Sequence, residues 1–149
     1  MKSRKKVYVI VILIVLLLAF IWGHSMMNGT DSRAESEAVR RTVTPFLELF
    51  FGRGGVSERA VRKLAHFAEY FCLGTLGALL LEALDRHSIF YYSYALMAGL
   101  AAAVADESIQ LASAGRSAQV ADILLDFCAL LLGALAAAAI AALCRRRHK

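Results

Sequence analysis

The sequence has few helix-interrupting residues and lacks the motifs of familiar soluble hydrolases. It contains a single proline in 149 residues, and the short alternating segments typical of a β-barrel are absent. Its three cysteines, Cys72, Cys128 and Cys144, have no metal-like spacing and imply no disulfide framework. The HExxH pattern of zinc proteases and the GxSxG elbow of hydrolases are missing as well. The informative features are therefore the hydrophobic pattern and the charges placed within it.

Four long hydrophobic runs dominate the chain, which is 59% hydrophobic and has a mean hydropathy of +0.58. They cover approximately residues 7–27, 65–84, 90–110 and 120–143. Each is close to the ~20 residues that an α-helix needs to cross a bilayer core of ~30 Å. The sequence therefore predicts an all-α, polytopic membrane protein with four transmembrane helices, forming a single domain over residues 1–149.

The formal net charge of +5 is concentrated at the two ends of the chain. Lys5 and Lys6 precede the first run, and Arg145, Arg146 and Arg147 follow the last. Because Lys and Arg that flank membrane spans stay on the cytoplasmic side, both termini are expected inside. We interpret these charges as a topology signal, and no nucleic-acid partner is expected.

The first outer loop, residues 28–62, is the only long connection between the runs. Apolar residues recur in it at helical spacing, among them Val39, Val43, Phe46 and Phe50. This pattern predicts an amphipathic helix lying on the outer membrane surface, kinked or divided at Pro45.

Ionisable residues gather at one end of three of the four runs. The second and fourth runs enter from outside and the third returns there, so these groups are expected at one depth near the outer side. Spacing of three or four residues places His66, Glu69 and Tyr70 on one helix face, as it does Asp122 and Asp126. The predicted pocket residues are Lys63, His66, Glu69, Tyr70, Asp106, Glu107, Gln110, Arg116, Asp122 and Asp126.

Acidic groups outnumber basic ones in this predicted pocket. Arg116, Lys63 and a protonated His66 can balance part of the charge, and a shared proton or a cation can balance the rest. No cofactor is predicted as a requirement, although the carboxylates could hold a divalent cation such as Mg²⁺ or Mn²⁺. The alternative is structural, because hydrogen bonds between membrane helices contribute roughly 0.6 to 2 kcal/mol each. Eight or more polar residues from three helices exceed what such a role needs, which favours a functional pocket.

Three ordered motifs resemble those of the VanZ-like family. They are Lys63-x-x-His66-Phe67-x-Glu69-Tyr70-x-x-Leu73-Gly74, then Asp106-Glu107-x-x-Gln110, then Gly115-Arg116-Ser117 followed by Asp122. The chain departs from the family pattern at Asp126, where Asn is usual, and at Ala129, where Gly is frequent. The resemblance implies a small multi-pass protein of the bacterial cytoplasmic (inner) membrane. The named member of the VanZ-like family is associated with low-level resistance to glycopeptide antibiotics of the teicoplanin type.

Three functions fit these residues. The first is binding of an envelope lipid, a lipid-linked wall intermediate or an amphiphilic antibiotic at an outer-leaflet pocket, with the bilayer as the general partner. The second is an intramembrane metal- or His/carboxylate-dependent hydrolase or transferase acting on lipid-linked substrates. Its candidate catalytic residues are His66, Glu69 and Asp106. The third is proton or cation movement, which the apolar inner halves of the runs disfavour.

Overall fold

A computed structural model describes residues 2–27, 37, 41, 57–114 and 119–147. Within these residues it contains four helices: α1 (Lys2–Ser25), α2 (Glu58–Ala83), α3 (Ile89–Ala112) and α4 (Val120–Arg147). All four are long and apolar enough to cross a membrane, which confirms the all-helical prediction with four such segments. The amphipathic helix predicted between α1 and α2 lies outside the described residues, and the direction of insertion stays a prediction.

Serine N-caps fix where α2 and α3 begin. Ser57 is the N-cap of α2, where its Oγ accepts a hydrogen bond of 3.2 Å from the Ala60 backbone N–H. The helix therefore begins at Glu58, ahead of the predicted apolar segment at residue 65. Ser88 caps α3 in the same way, with its Oγ accepting from the Phe90 N–H. Between α2 and α3 the chain reverses through Asp85, whose φ of 57° is left-handed.

The contact between α2 and α4 is the largest in the bundle, and glycines allow it. A Cβ at Gly74 would lie 1.9 Å from the Leu130 carbonyl oxygen, and one at Gly133 would lie 2.1 Å from the Phe71 carbonyl oxygen. Thr75 Oγ1 also donates a hydrogen bond to the Gly133 carbonyl. Small residues thus let the two backbones meet, as is common between membrane helices.

Helix α1 packs on the bundle mainly through its C-terminal half. Ile21 is fully buried in a core that also includes Tyr70 and Ala103. Trp22 Nε1 donates a hydrogen bond of 3.3 Å to the Ala102 carbonyl oxygen. Large apolar side chains such as Leu16 are exposed on the rest of the helix, as a lipid-facing surface requires.

The C-terminal ends of α1 and α3 meet the N-terminal ends of α2 and α4 at one end of the bundle. We call it the polar end. It contains Ser25, Lys63 to Tyr70, Asp106 to Gln110 and Asp122 to Asp126. The opposite end carries an ion pair between Arg145 and Glu82 and a contact of 3.3 Å between His87 and Glu82.

Candidate functional site

His66 occupies the centre of the polar end. Its Nδ1 lies 3.5 Å from Asp106 Oδ2 on α3 and 3.7 Å from Glu69 Oε2 one turn along α2. His66 and Asp106 are both buried. The contact joins two helices through groups that can exchange a proton or share a cation.

Asp126 brings α4 into the same group. One potential ligand atom from each of His66, Asp106 and Asp126 lies within 4.8 Å of the other two. Asp126 is only 2% exposed, and its Oδ1 has no hydrogen-bond partner. We refer to these three side chains as the triad; each comes from a different helix.

Tyr70, one turn after His66 on α2, is fully buried in the core. Its hydroxyl, like Asp126 Oδ1, has no hydrogen-bond partner. It is within electrostatic reach of Asp106 and Asp126. Buried polar atoms are normally satisfied, so these two atoms indicate bonding capacity available to a small ligand.

Gln110 fixes Asp106 from one turn further along α3. Its Nε2 donates a hydrogen bond of 3.2 Å to Asp106 Oδ2 and approaches Ser25 Oγ at 3.5 Å. Ser113 Oγ donates to the Ser25 carbonyl oxygen at 3.0 Å. Ser25, which is fully buried, was not among the predicted pocket residues. The signal was its position at the end of the first hydrophobic run, which places it at the same end as the acids.

Two predicted pocket residues have partners outside the triad. Glu107 Oε1 accepts a hydrogen bond of 2.6 Å from the Gln119 backbone N–H, just before α4 begins. Asp122 Oδ1 lies 2.5 Å from Lys63 Nζ in a partly exposed ion pair at the rim. The structure therefore brings nine of the ten predicted residues to one end of the bundle, while Arg116 lies outside the described residues.

Two cavities differ sharply in character. A cavity of about 20 Å³ lies between Arg62, Lys63, His66, Asp122 and Asp126, and it has room for about one water molecule or one ion. A second cavity of about 210 Å³ lies deeper among apolar residues of all four helices. Its lining includes Leu18, Gly77, Tyr92, Leu96 and Ala134. The first suits a small polar species, and the second suits a hydrocarbon chain.

A family model described as VanZ/LLP1 matches residues 10–143 of this sequence. The match covers most of the chain and all three motifs, and it confirms the resemblance drawn from them. Comparisons with curated proteins and with solved structures gave no significant match.

Proposed function

Because this chain belongs to the VanZ/LLP1 family, we propose that it binds an amphiphilic envelope ligand from the outer leaflet of the bacterial cytoplasmic membrane. The ligand class is a phosphate-bearing envelope lipid or a lipid-linked wall intermediate. A glycopeptide-type antibiotic, which is also amphiphilic, is the other ligand that the family resemblance implies. The proposal includes insertion with both termini inside, so that the polar end faces outward.

The observation that carries this proposal is the convergence of buried polar side chains from all four helices at one end of the bundle. Ionisable groups at membrane depth are costly and usually mark a functional site. Interhelical contacts alone need far fewer of them, because a hydrogen bond such as that from Thr75 Oγ1 to the Gly133 carbonyl already joins α2 to α4 away from the polar end.

The ligand headgroup would lie at the rim of the polar end. The cavity of about 20 Å³ between the polar side chains is too small for a headgroup. Arg62 and Lys63 line that cavity at its basic rim. Their cationic groups suit a phosphate, and the partly exposed Lys63–Asp122 pair costs little to separate.

The apolar cavity would hold part of the ligand's hydrocarbon chain. It begins near Leu73, about 10 Å along α2 from His66. Its position beneath the polar end matches the order of headgroup and chain in a lipid. Gly77 contributes open space, because a Cβ added there meets no atom within 4 Å.

The test is native mass spectrometry of the purified full chain with a polyprenyl phosphate, and in parallel with a teicoplanin-type glycopeptide. We expect Arg62→Gln combined with Lys63→Gln to weaken lipid binding about tenfold or more, through loss of charge-assisted contacts. Gly77→Leu adds bulk to the lining of the apolar cavity at a position where a Cβ meets no atom within 4 Å, so it should weaken binding of the long-chain lipid while sparing a short-chain analogue. Arg86→Gln, an exposed basic residue at the opposite end, is the matched control. Equal binding by wild type and all variants would refute the proposal.

An enzymatic function is the second candidate, favoured by the 3.5 Å contact between His66 and Asp106. A carboxylate beside an imidazole can orient it as a general base. His66 would then take a proton from water as the water oxygen bonds to the phosphorus of a lipid-linked phosphate. The P–O bond to the lipid breaks, and the same proton passes to the departing oxygen to give the lipid alcohol. Phosphate release from the same polyprenyl phosphate by wild type, lost in His66→Gln, would establish this function. Binding without release would exclude it for that substrate.

A further inference from the structure

The triad has the composition of a metal-binding site with an open position. It offers one imidazole nitrogen from His66 and carboxylate oxygens from Asp106 and Asp126, all within 4.8 Å of one another. Metal–ligand bonds of about 2.1 Å place two ligand atoms at most about 4 Å apart. Side-chain adjustments of about an ångström would therefore bring all three atoms to one ion.

Observations independent of this grouping also indicate a ligand. Asp126 Oδ1 and the Tyr70 hydroxyl have no hydrogen-bond partner, and both side chains are at least nine-tenths buried. An ionised carboxylate in apolar surroundings is costly unless a cation or hydrogen bonds compensate it. The cavity of about 20 Å³, lined by His66 and Asp126, provides room for one ion.

We propose that His66, Asp106 and Asp126 bind one divalent transition-metal ion, of the class of Mn²⁺ or Zn²⁺. Imidazole together with carboxylate suits these ions, whereas Mg²⁺ prefers oxygen ligands alone. Three protein ligands leave a coordination position for water or for an oxygen of a bound phosphate. Gln110, which donates to Asp106 Oδ2, positions that carboxylate. This site goes beyond the proposed lipid binding, because the ion can bind with neither lipid nor turnover.

The chain contains a matched control one helical turn away from Asp126. Asp122 has the same side chain on the same helix, but its carboxylate pairs with Lys63 at the rim. Asp126→Asn and Asp122→Asn therefore remove the same charge with the same change of shape. Only the first removes a ligand of the proposed site.

The experiment uses the full chain in detergent, stripped of metal by a chelator and then titrated with Mn²⁺ and, separately, Zn²⁺, with no lipid ligand added. We expect one ion bound per chain in wild type, and binding about tenfold or more weaker in Asp126→Asn and His66→Gln. Asp122→Asn removes a charge that lines the cavity but keeps all three proposed ligands, so it should weaken binding several-fold less than Asp126→Asn does. The circular dichroism and gel-filtration profile of each variant should match wild type.

Absence of stoichiometric binding of either ion to wild type would overturn the proposal, as would equal weakening by Asp122→Asn and Asp126→Asn. If Asp126→Asn does not fold, wild type answers the question alone, because an ion that binds the folded state must raise its unfolding temperature. No rise with saturating Mn²⁺ or Zn²⁺ would then overturn the site. Because no lipid is present, a negative result here leaves the lipid-binding test unaffected, and the reverse holds too.

Discussion

At the scale of single residues, Asp122 and Asp126 show how strongly position on a membrane helix changes the chemistry of one side-chain type. Asp122 is partly exposed and held by Lys63 at the rim, whereas Asp126 is buried beside His66 and Asp106. A charge in the first position costs little, because water and a cation reach it. A charge in the second requires a specific partner. The buried aspartate is therefore the more informative residue of the pair.

Tyr70 provides a prediction at the same scale. Its ring is fully buried in the core and its hydroxyl lacks a hydrogen-bond partner. Because a buried unsatisfied hydroxyl costs about 1–3 kcal/mol, we expect Tyr70→Phe to keep or increase the free energy of unfolding. Tyr70→Ala should lower it by about 3–5 kcal/mol through the cavity it leaves. Unfolding of the purified protein in mixed detergent micelles measures both. A loss of more than about 1 kcal/mol in Tyr70→Phe would show that the hydroxyl is hydrogen-bonded.

Much of this residue-level site could be predicted from the sequence, because helical spacing and alternating span direction determine which faces and ends meet. Helical spacing puts His66 and Glu69 on one face, and in the structure His66 Nδ1 lies 3.7 Å from Glu69 Oε2. Ser25 is not found by helical spacing, since its signal is only its position at the end of the first apolar run. The helical rise places Asp126 about 6 Å deeper than Asp122, but it does not give which of the two the neighbouring helices bury.

At the scale of elements, α2 combines two functions along its length. Its N-terminal part places Lys63 and His66 at the polar end. Its middle contains Gly74, whose lack of a side chain lets α4 pack closely against it. Because this first part is charged, α2 begins before the hydrophobic run that starts at residue 65. The cap at Ser57 fixes where it starts. Hydropathy alone finds the apolar part of such a helix, whereas its true start depends on a local hydrogen bond.

Gly74 and Gly77 test the α2–α4 interface with a matched pair of substitutions. A Cβ at Gly74 would clash with the backbone of Leu130, while one at Gly77 meets no atom within 4 Å. We expect Gly74→Ala to lower the free energy of unfolding by about 1–3 kcal/mol or more, because the helices must separate. Gly77→Ala should be neutral, or stabilising by up to about 1 kcal/mol, because alanine favours the helix. Equal effects of the two substitutions on detergent unfolding would contradict this packing.

At the scale of the whole molecule, the two ends of the bundle differ in ways that matter for insertion. The polar end gathers buried acids around His66, whereas the opposite end carries the Arg145–Glu82 pair and the basic C-terminal residues. Lys and Arg flanking the spans favour the cytoplasmic side. If that rule holds here, the polar end faces outward and meets the outer-leaflet lipids and external solutes that the proposed binding function requires.

Ser57 and Ser88 offer a direct test of this orientation. Both are exposed N-cap residues, and they lie at opposite ends of the bundle. The two substitutions are made in a chain whose native cysteines have been replaced by alanine. Ser57→Cys and Ser88→Cys should each lower the free energy of unfolding by about 1 kcal/mol, because each removes one N-cap. We expect a membrane-impermeant thiol reagent to label Ser57→Cys on intact cells, and Ser88→Cys only after permeabilisation. The opposite pattern would place the triad on the cytoplasmic side, where a metal could still bind but an external antibiotic could not reach the rim.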